Sequence, residues 1–184
     1  MAILRMIGSH IFVRLQKLKT ESKSIMSLTY GLASICDLYA KLLRDANALD
    51  DEVTSDRMFN FVLTGYSMID WIKNDPSVPA SAKDSAAIDE LHSDQWLKIC
   101  GDLATASKHF KLTKRVPITT AATSDTGFGI GRWGKGGYGV GEENIVVQLN
   151  DGTSFHCLDL VNGVQATWNR YFSTHRICKV SVDV

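Results

Sequence analysis

The sequence predicts a mainly α (α+β) fold: a single helical-bundle domain over residues 1–184, with a small antiparallel β insertion, rich in glycine, at about residues 113–157 before the last helix. Apolar residues recur at helical spacing as far as Leu112, β-branched residues and turn signals replace that period, and the helical period returns at Leu158. Hydrophobic residues make up 45% of the chain and charged residues 22%, which is typical of a soluble folded domain.

Two strong helices are predicted in the first half of the chain. One apolar face runs from Ile25 to about Arg44, and a less regular helix over Ile3–Leu18 precedes it. The next helix begins where residues 54–56 offer a capping side-chain oxygen, and it ends before Asp75-Pro76 because proline disrupts the helix there. Its predicted apolar face comprises Phe59, Val62, Tyr66, Ile69 and Ile72.

Two further helices complete the predicted bundle before the β insertion. A short one runs from Ser81 to about Leu91. A stronger one is capped by Ser93 or Asp94 and ends near residues 109–110. Its helical period comprises Trp96, Ile99, Cys100, Leu103, Ala106 and Phe110.

The β insertion is predicted to consist of strands joined by turns. Val116–Thr123 is rich in β-branched residues, and the apolar run Ile145–Leu149 leads into Asn150-Asp151-Gly152. Asp-Gly supplies the positive φ angles of a tight hairpin, so Thr153–Cys157 is predicted to be the returning strand. The closing helix runs from Leu158 through Phe172.

The distribution of charges and the positions of the cysteines limit the class of protein to which the chain can belong. Residues 45–102 carry four basic and twelve acidic side chains, whereas residues 103–135 carry six and one. Such blocks either pair across a folded surface or converge into a patch that meets phosphate or an acidic partner.

The four scattered cysteines form no C-x-x-C pair, which argues against zinc, and free thiols in a reducing cytoplasm are expected. No apolar stretch is long enough for a membrane span, and a secretory signal is not expected.

Eight glycines lie between Gly127 and Gly141. The run satisfies G-x-G-x-x-G and most of a phosphate-binding loop, but the approach over Thr119–Thr126 is polar rather than a buried strand, and no helix follows the run, so its context favours a structural hairpin. The functional alternatives are a mobile lid and a nucleotide or nucleic-acid site. In either case Arg132, Trp133 and Lys135 would face the ligand.

Two clusters of titratable residues lie on predicted helices. Asp102 and His109 are seven residues apart and share a helix face, an arrangement that suits either acid–base catalysis or the stabilisation of a helix end. Lys108, beside them, is a candidate ligand-binding group. Arg170 and His175 form an R-x4-H pair, in which the cation stabilises a charged phosphorane and the histidine moves protons in metal-independent RNA cleavage.

Two segments, RMFNFVLTGYSMIDWI (Arg57–Ile72) and LKICGDLATASKHFKL (Leu97–Leu112), resemble paired helices of small bacterial proteins related to the HEPN (higher eukaryotes and prokaryotes nucleotide-binding) bundles. The resemblance covers about a third of the chain. It implies an α-helical bundle, frequent dimers and, in many members, a ribonuclease of the R-x4-6-H type in toxin or antiviral systems. In active members the residue after the arginine is commonly polar, whereas here it is Tyr171.

These observations lead to one preferred function and two alternatives. The preferred one is a HEPN-like bundle of bacterial or phage defence or toxin type that binds a protein partner or a second copy of itself. The first alternative is a metal-independent endoribonuclease that uses the Arg/His pair, and the second is a nucleotide or nucleic-acid binder that uses the glycine run. No cofactor, metal or membrane is expected in any of the three.

Overall fold

A computed structural model describes residues 29–110, 116–127 and 142–178. The chain divides into two units, Met1–Ala33 and Ser34–Val184. Only Thr29–Ala33 of the first unit is described, a turn in which the Leu32 amide donates to the Thr29 carbonyl at 3.0 Å. The single domain over residues 1–184 therefore stays a prediction, and the predicted helix over residues 3–18 lies outside the described residues.

The described part of the second unit is a helical bundle that carries a three-stranded sheet, which confirms the predicted mainly α (α+β) class. Its elements in chain order are α1 (Ile35–Asp51), α2 (Ser55–Asn74), a 3₁₀ turn (Ala80–Ala82), α3 (Ser85–Ser93), α4 (Gln95–His109), β1 (Thr119–Gly127), β2 (Glu142–Leu149), β3 (Ser154–His156) and α5 (Cys157–His175). Helix α2 packs between α1 and α4, and α4 packs against α5.

Side-chain caps begin α2 and α4 at residues that were predicted to cap them. The Thr54 hydroxyl accepts from the Arg57 amide at the start of α2, and Asp94 accepts from two amides at the start of α4. Each cap satisfies N–H groups that the first helical turn leaves without a partner. Helix α1 begins after Ser34, about ten residues later than the predicted start at Ile25, because the Ser34 side chain caps it there. It continues to Asp51, beyond the predicted end near Arg44, because its last two turns still bury Ala46 and Leu49.

The sheet is antiparallel in the order β1-β2-β3, and its position in the chain agrees with the predicted insertion. Ile145, Val147 and Leu149 of β2 are buried. The turn from β2 to β3 contains Gly152 at φ 87°, the positive angle that the Asp-Gly pair predicts. Helix α5 begins at Cys157, one residue before the predicted return of the helical period.

One glycine sets how closely α4 and α5 approach. A Cβ added at Gly163 would lie 2.2 Å from the indole ring of Trp96, so the ring packs directly on the backbone of α5. The same ring meets Phe155 edge-on at a centroid distance of 5.5 Å. Gly163 weakens α5 as an isolated helix but is required for this crossing.

The expectation of four free thiols is corrected. Cys36, in the first turn of α1, forms a disulfide with Cys178, just beyond α5, whereas Cys100 and Cys157 are free and buried. The pair brings together residues 142 positions apart. Spacing along the chain carries no signal for such a pairing, because it depends on how α1 and α5 meet in the fold.

Candidate functional site

Asp102 is buried within α4, where it is 2% exposed. Its Oδ2 atom accepts hydrogen bonds from the backbone amides of Ile118, at 2.8 Å, and Thr119, at 3.1 Å. The carboxylate therefore fixes the chain as it enters β1. His109 is exposed at the end of the same helix, so the structure does not bring the predicted Asp102/His109 pair together. Lys108 is exposed beside it.

Arg170 is held at the other end of α4. Its guanidinium donates to Asp94 Oδ2 at 3.1 Å, and the Thr167 hydroxyl donates to the same oxygen at 3.0 Å. The second carboxylate oxygen of Asp94 caps α4, so one side chain joins the cap of α4 to the surface of α5. The arginine is 60% exposed, and the pair is therefore worth little as a source of stability.

His175 does not meet Arg170. Its ring lies against that of Tyr171, with a centroid distance of 4.5 Å, and the Tyr171 hydroxyl donates to the Ala82 carbonyl at 2.6 Å. Burial and, to a lesser extent, the charges of Asp84 and Glu90 together raise the pKa of Tyr171 to about 12. Tyr171, the residue after Arg170, is thus part of the core.

His109 and the Arg170–Asp94 pair lie at opposite ends of α4. His109 is fifteen residues beyond Asp94, which corresponds to about 22 Å along the helix axis. One chain therefore does not place His109 and the Arg170–Asp94 pair in one pocket. Arg132, Trp133 and Lys135 lie outside the described residues, so their ligand-binding role stays a prediction.

An open apolar groove lies where α2, α4 and the sheet meet, and we call it the β1 groove. Its volume is about 250 Å³. The apolar lining consists of Met58, Phe59, Val62, Leu103, Ala122 and Ile145. The hydroxyl-bearing lining consists of Ser55, Ser107, Thr123 and Ser124. The volume falls below the ~300–1,000 Å³ typical of small-molecule pockets and suits one or two side chains of a protein partner.

Two phenylalanines expose their rings at this part of the surface. Phe59 lines the groove and is 42% exposed, and Phe110, three positions beyond the groove residue Ser107, is 90% exposed. Both were predicted to lie on the apolar faces of their helices. The buried face of α2 instead passes through Met58 and Phe61, which leaves Phe59 off the stripe. Phe110 lies beyond the last helical turn at φ 62°, so it no longer follows the helical period.

Glu143 of β2 binds two of the serines that line the β1 groove. Its carboxylate accepts from the Ser55 amide at 2.9 Å and from the hydroxyls of Ser55 and Ser124. Partial burial raises the pKa of Glu143, but the hydrogen bonds from Ser124 and Ser55 together outweigh it and leave the pKa below its usual value. The glutamate therefore joins β1, β2 and the first turn of α2 as an ionised group.

Two other features are absent from the described residues. No three His, Cys, Asp or Glu side chains there converge as a metal-binding group. Likewise, within the described ranges no helix combines the length and the apolar character needed to cross a bilayer.

Comparison with known proteins adds no relative. No protein-family model, no curated protein and no solved structure matches the chain.

Proposed function

We propose that the chain is a cytoplasmic, HEPN-like helical-bundle module of bacterial or phage defence or toxin type, and that it acts by binding and oligomerisation rather than by catalysis. The two segments that carry the resemblance belong to α2 and α4, which pack side by side. At their contact the ring of Tyr66 lies over Gly101, and the Cys100 thiol approaches the Val62 carbonyl at 3.4 Å. This pairing supports the bundle relationship.

The observation that carries the proposal is the position of the charged groups. A ribonuclease of this type needs its arginine and histidine to converge on one phosphate. Here Arg170 is engaged by Asp94, His175 lies against Tyr171, and His109 is at the far end of α4. Each group has a structural environment of its own, which favours a binding module.

The β1 groove is the surface on which we place the binding, and its occupant is a second copy of this chain. The groove is an apolar recess with a hydroxyl-bearing edge, and Phe110 is an exposed apolar side chain about one helical turn from Ser107. In the proposed dimer, each copy places its Phe110 in the other's groove across a two-fold axis beside the end of α4. Such an exchange is self-complementary, as the interface of a symmetric dimer must be.

Sedimentation equilibrium over a range of protein concentrations tests the dimer. Ser107→Trp fills the groove with its own side chain, and Ser173→Trp, at an exposed serine of α5, is the matched control. We expect the wild type and the control to dimerise and Ser107→Trp to remain monomeric. A wild type that is monomeric throughout, or a Ser107→Trp variant that still dimerises, contradicts the proposal.

The catalytic alternatives are tested in parallel. We expect mixed RNA to stay intact when it is incubated with the wild type in EDTA. Cleavage that Arg170→Ala and His175→Ala both abolish would replace the proposal with the metal-independent ribonuclease. Tight binding of ATP or NAD that Lys135→Ala abolishes would instead favour the glycine-run nucleotide site.

A further inference from the structure

The four cysteines of the chain fall into two classes. Burial raises the pKa of the Cys100 thiol to about 12 and, as the largest influence, that of the Cys157 thiol to about 11, so neither is readily ionised. Cys36 and Cys178 are joined, and both are partly exposed. Exchange requires a thiolate to reach a sulfur atom, and exposed disulfides are the labile ones. Only the Cys36–Cys178 bond meets that requirement.

The bond closes the chain reversal that follows α5. Arg176, at φ 54°, ends the helix in the left-handed conformation that is common at helix C-termini, whereas Cys178, at φ 52°, adopts a left-handed conformation beyond this cap, which side-chain-bearing residues rarely do. Between them Ile177 is buried, and its amide donates to the Phe172 carbonyl at 2.9 Å. The sulfur bridge anchors the end of this reversal to the first turn of α1. Without it, Cys178 is free to leave its strained backbone conformation.

The contact between α1 and α5 does not depend on the bond. The ring of Tyr39 meets that of Phe172 edge-on at a centroid distance of 4.7 Å, and its hydroxyl donates to Asn169. Trp168 and Phe172 of α5 are almost completely buried. Loss of the bond is therefore a local event, which loosens the reversal after α5 and leaves the bundle packed.

We propose that the Cys36–Cys178 bond is a reversible redox latch, a site of thiol–disulfide exchange with low-molecular-weight thiols such as glutathione. A thiolate attacks one sulfur of the bond, which gives a mixed disulfide and one protein thiolate. A second thiol then attacks the mixed disulfide. In total the protein takes up two electrons and two protons, and two glutathione molecules leave as one glutathione disulfide. Oxidation by glutathione disulfide is the reverse sequence.

The test uses the full chain under native conditions. The protein is equilibrated in buffers that range from excess reduced to excess oxidised glutathione, its thiols are alkylated, and the labelled cysteines are identified by mass. We expect Cys36 and Cys178 to be labelled together in reducing buffers and protected in oxidising ones, with Cys100 and Cys157 unlabelled throughout. Hydrogen exchange at residues 176–178 is expected to be about tenfold faster or more after reduction, and unchanged in α2 and α4.

The variant in which Cys36→Ser and Cys178→Ser are combined is the control. It is expected to show the fast exchange at residues 176–178 in every buffer and to lose the response to glutathione. A bond that persists in a large excess of reduced glutathione identifies a permanent staple and overturns the latch. Labelling of all four cysteines on reduction, or equal exchange in both redox states, also overturns it.

Discussion

Replacing Phe110 with glycine separates the energetics of the fold from those of the proposed interface. Phe110 has φ 62° and is 90% exposed. Glycine adopts the left-handed conformation without strain, which raises the free energy of unfolding of the monomer by about 1–2 kcal/mol. The greater backbone entropy of glycine in the unfolded chain lowers the free energy of unfolding by about 0.5–1 kcal/mol. Since the exposed ring contributes little burial to the monomer, we expect Phe110→Gly to stabilise the monomer by about 0–1.5 kcal/mol.

Association is expected to change in the opposite direction. A phenylalanine that becomes buried contributes about 1.5–3 kcal/mol to the free energy of association, and the symmetric dimer buries two copies of Phe110. Loss of about 3–6 kcal/mol weakens the dimer by about 10²–10⁴-fold in Kd. Tyr30→Gly is a matched control, because Tyr30 is also a fully exposed aromatic residue with positive φ, at 53°. It is expected to leave the dimer constant unchanged.

Two measurements check the expected gain in monomer stability and the expected loss of dimer affinity. Urea unfolding is followed at a protein concentration where the wild type is monomeric, because association would otherwise add to its apparent stability. Sedimentation equilibrium gives the dimer constants of the wild type, Phe110→Gly and Tyr30→Gly. A Phe110→Gly variant that dimerises like the wild type, or one whose monomer is destabilised by more than about 1 kcal/mol, refutes the reasoning.

Three other variants test the contacts that hold the described fold. Gly163→Ala is expected to lose about 1–3 kcal/mol in thermal or urea unfolding, although alanine favours helix, because its Cβ meets the ring of Trp96; an equally stable variant would contradict that packing. Asp102→Ala is expected to lose about 2–6 kcal/mol in urea unfolding, since it leaves two backbone amides at the start of β1 without their acceptor. Burial raises the pKa of Asp75, but hydrogen bonds from Ser77 and from the Ile35 amide, together with the nearby Lys83 charge, lower it below its usual 3.8. The stability that this carboxylate provides is therefore present above that value and is lost as the pH falls through the lowered pKa, and Asp75→Asn should lose stability at neutral pH and show a shallower acid dependence.

Local signals in the sequence predicted much of the fold. The capping oxygens of Thr54 and Asp94 act on backbone groups two or three residues away, and the Asp-Gly turn acts within four residues, so each can be recognised from short stretches. The change from helical to β periodicity near Leu112 is likewise a property of neighbouring residues. These interactions place the helices and the sheet in the correct order.

The candidate site was less accessible to such reasoning because its contacts join distant parts of the chain. Helical spacing places Asp102 and His109 on one face, but the carboxylate is taken by amides sixteen and seventeen residues further on. Arg170 is engaged by an aspartate 76 residues earlier. Phe59 is exposed because the helices packed against α2 bury a face that does not include it, and the identity of that face depends on contacts between distant parts of the chain. An apolar residue that departs from the buried stripe is the signal that would have found it.

The most direct test of the proposed self-association is a photo-crosslink from position 110. Benzoylphenylalanine replaces Phe110 in one isotope-labelled copy of the chain, which is mixed with an unlabelled copy that keeps Phe110 and then irradiated. We expect a species with the mass of two chains, in which position 110 of the labelled copy is joined to Met58 or Phe59 of the unlabelled copy. Crosslinks that form only within one chain, or that join position 110 to residues outside the β1 groove of the second copy, would contradict the proposed interface.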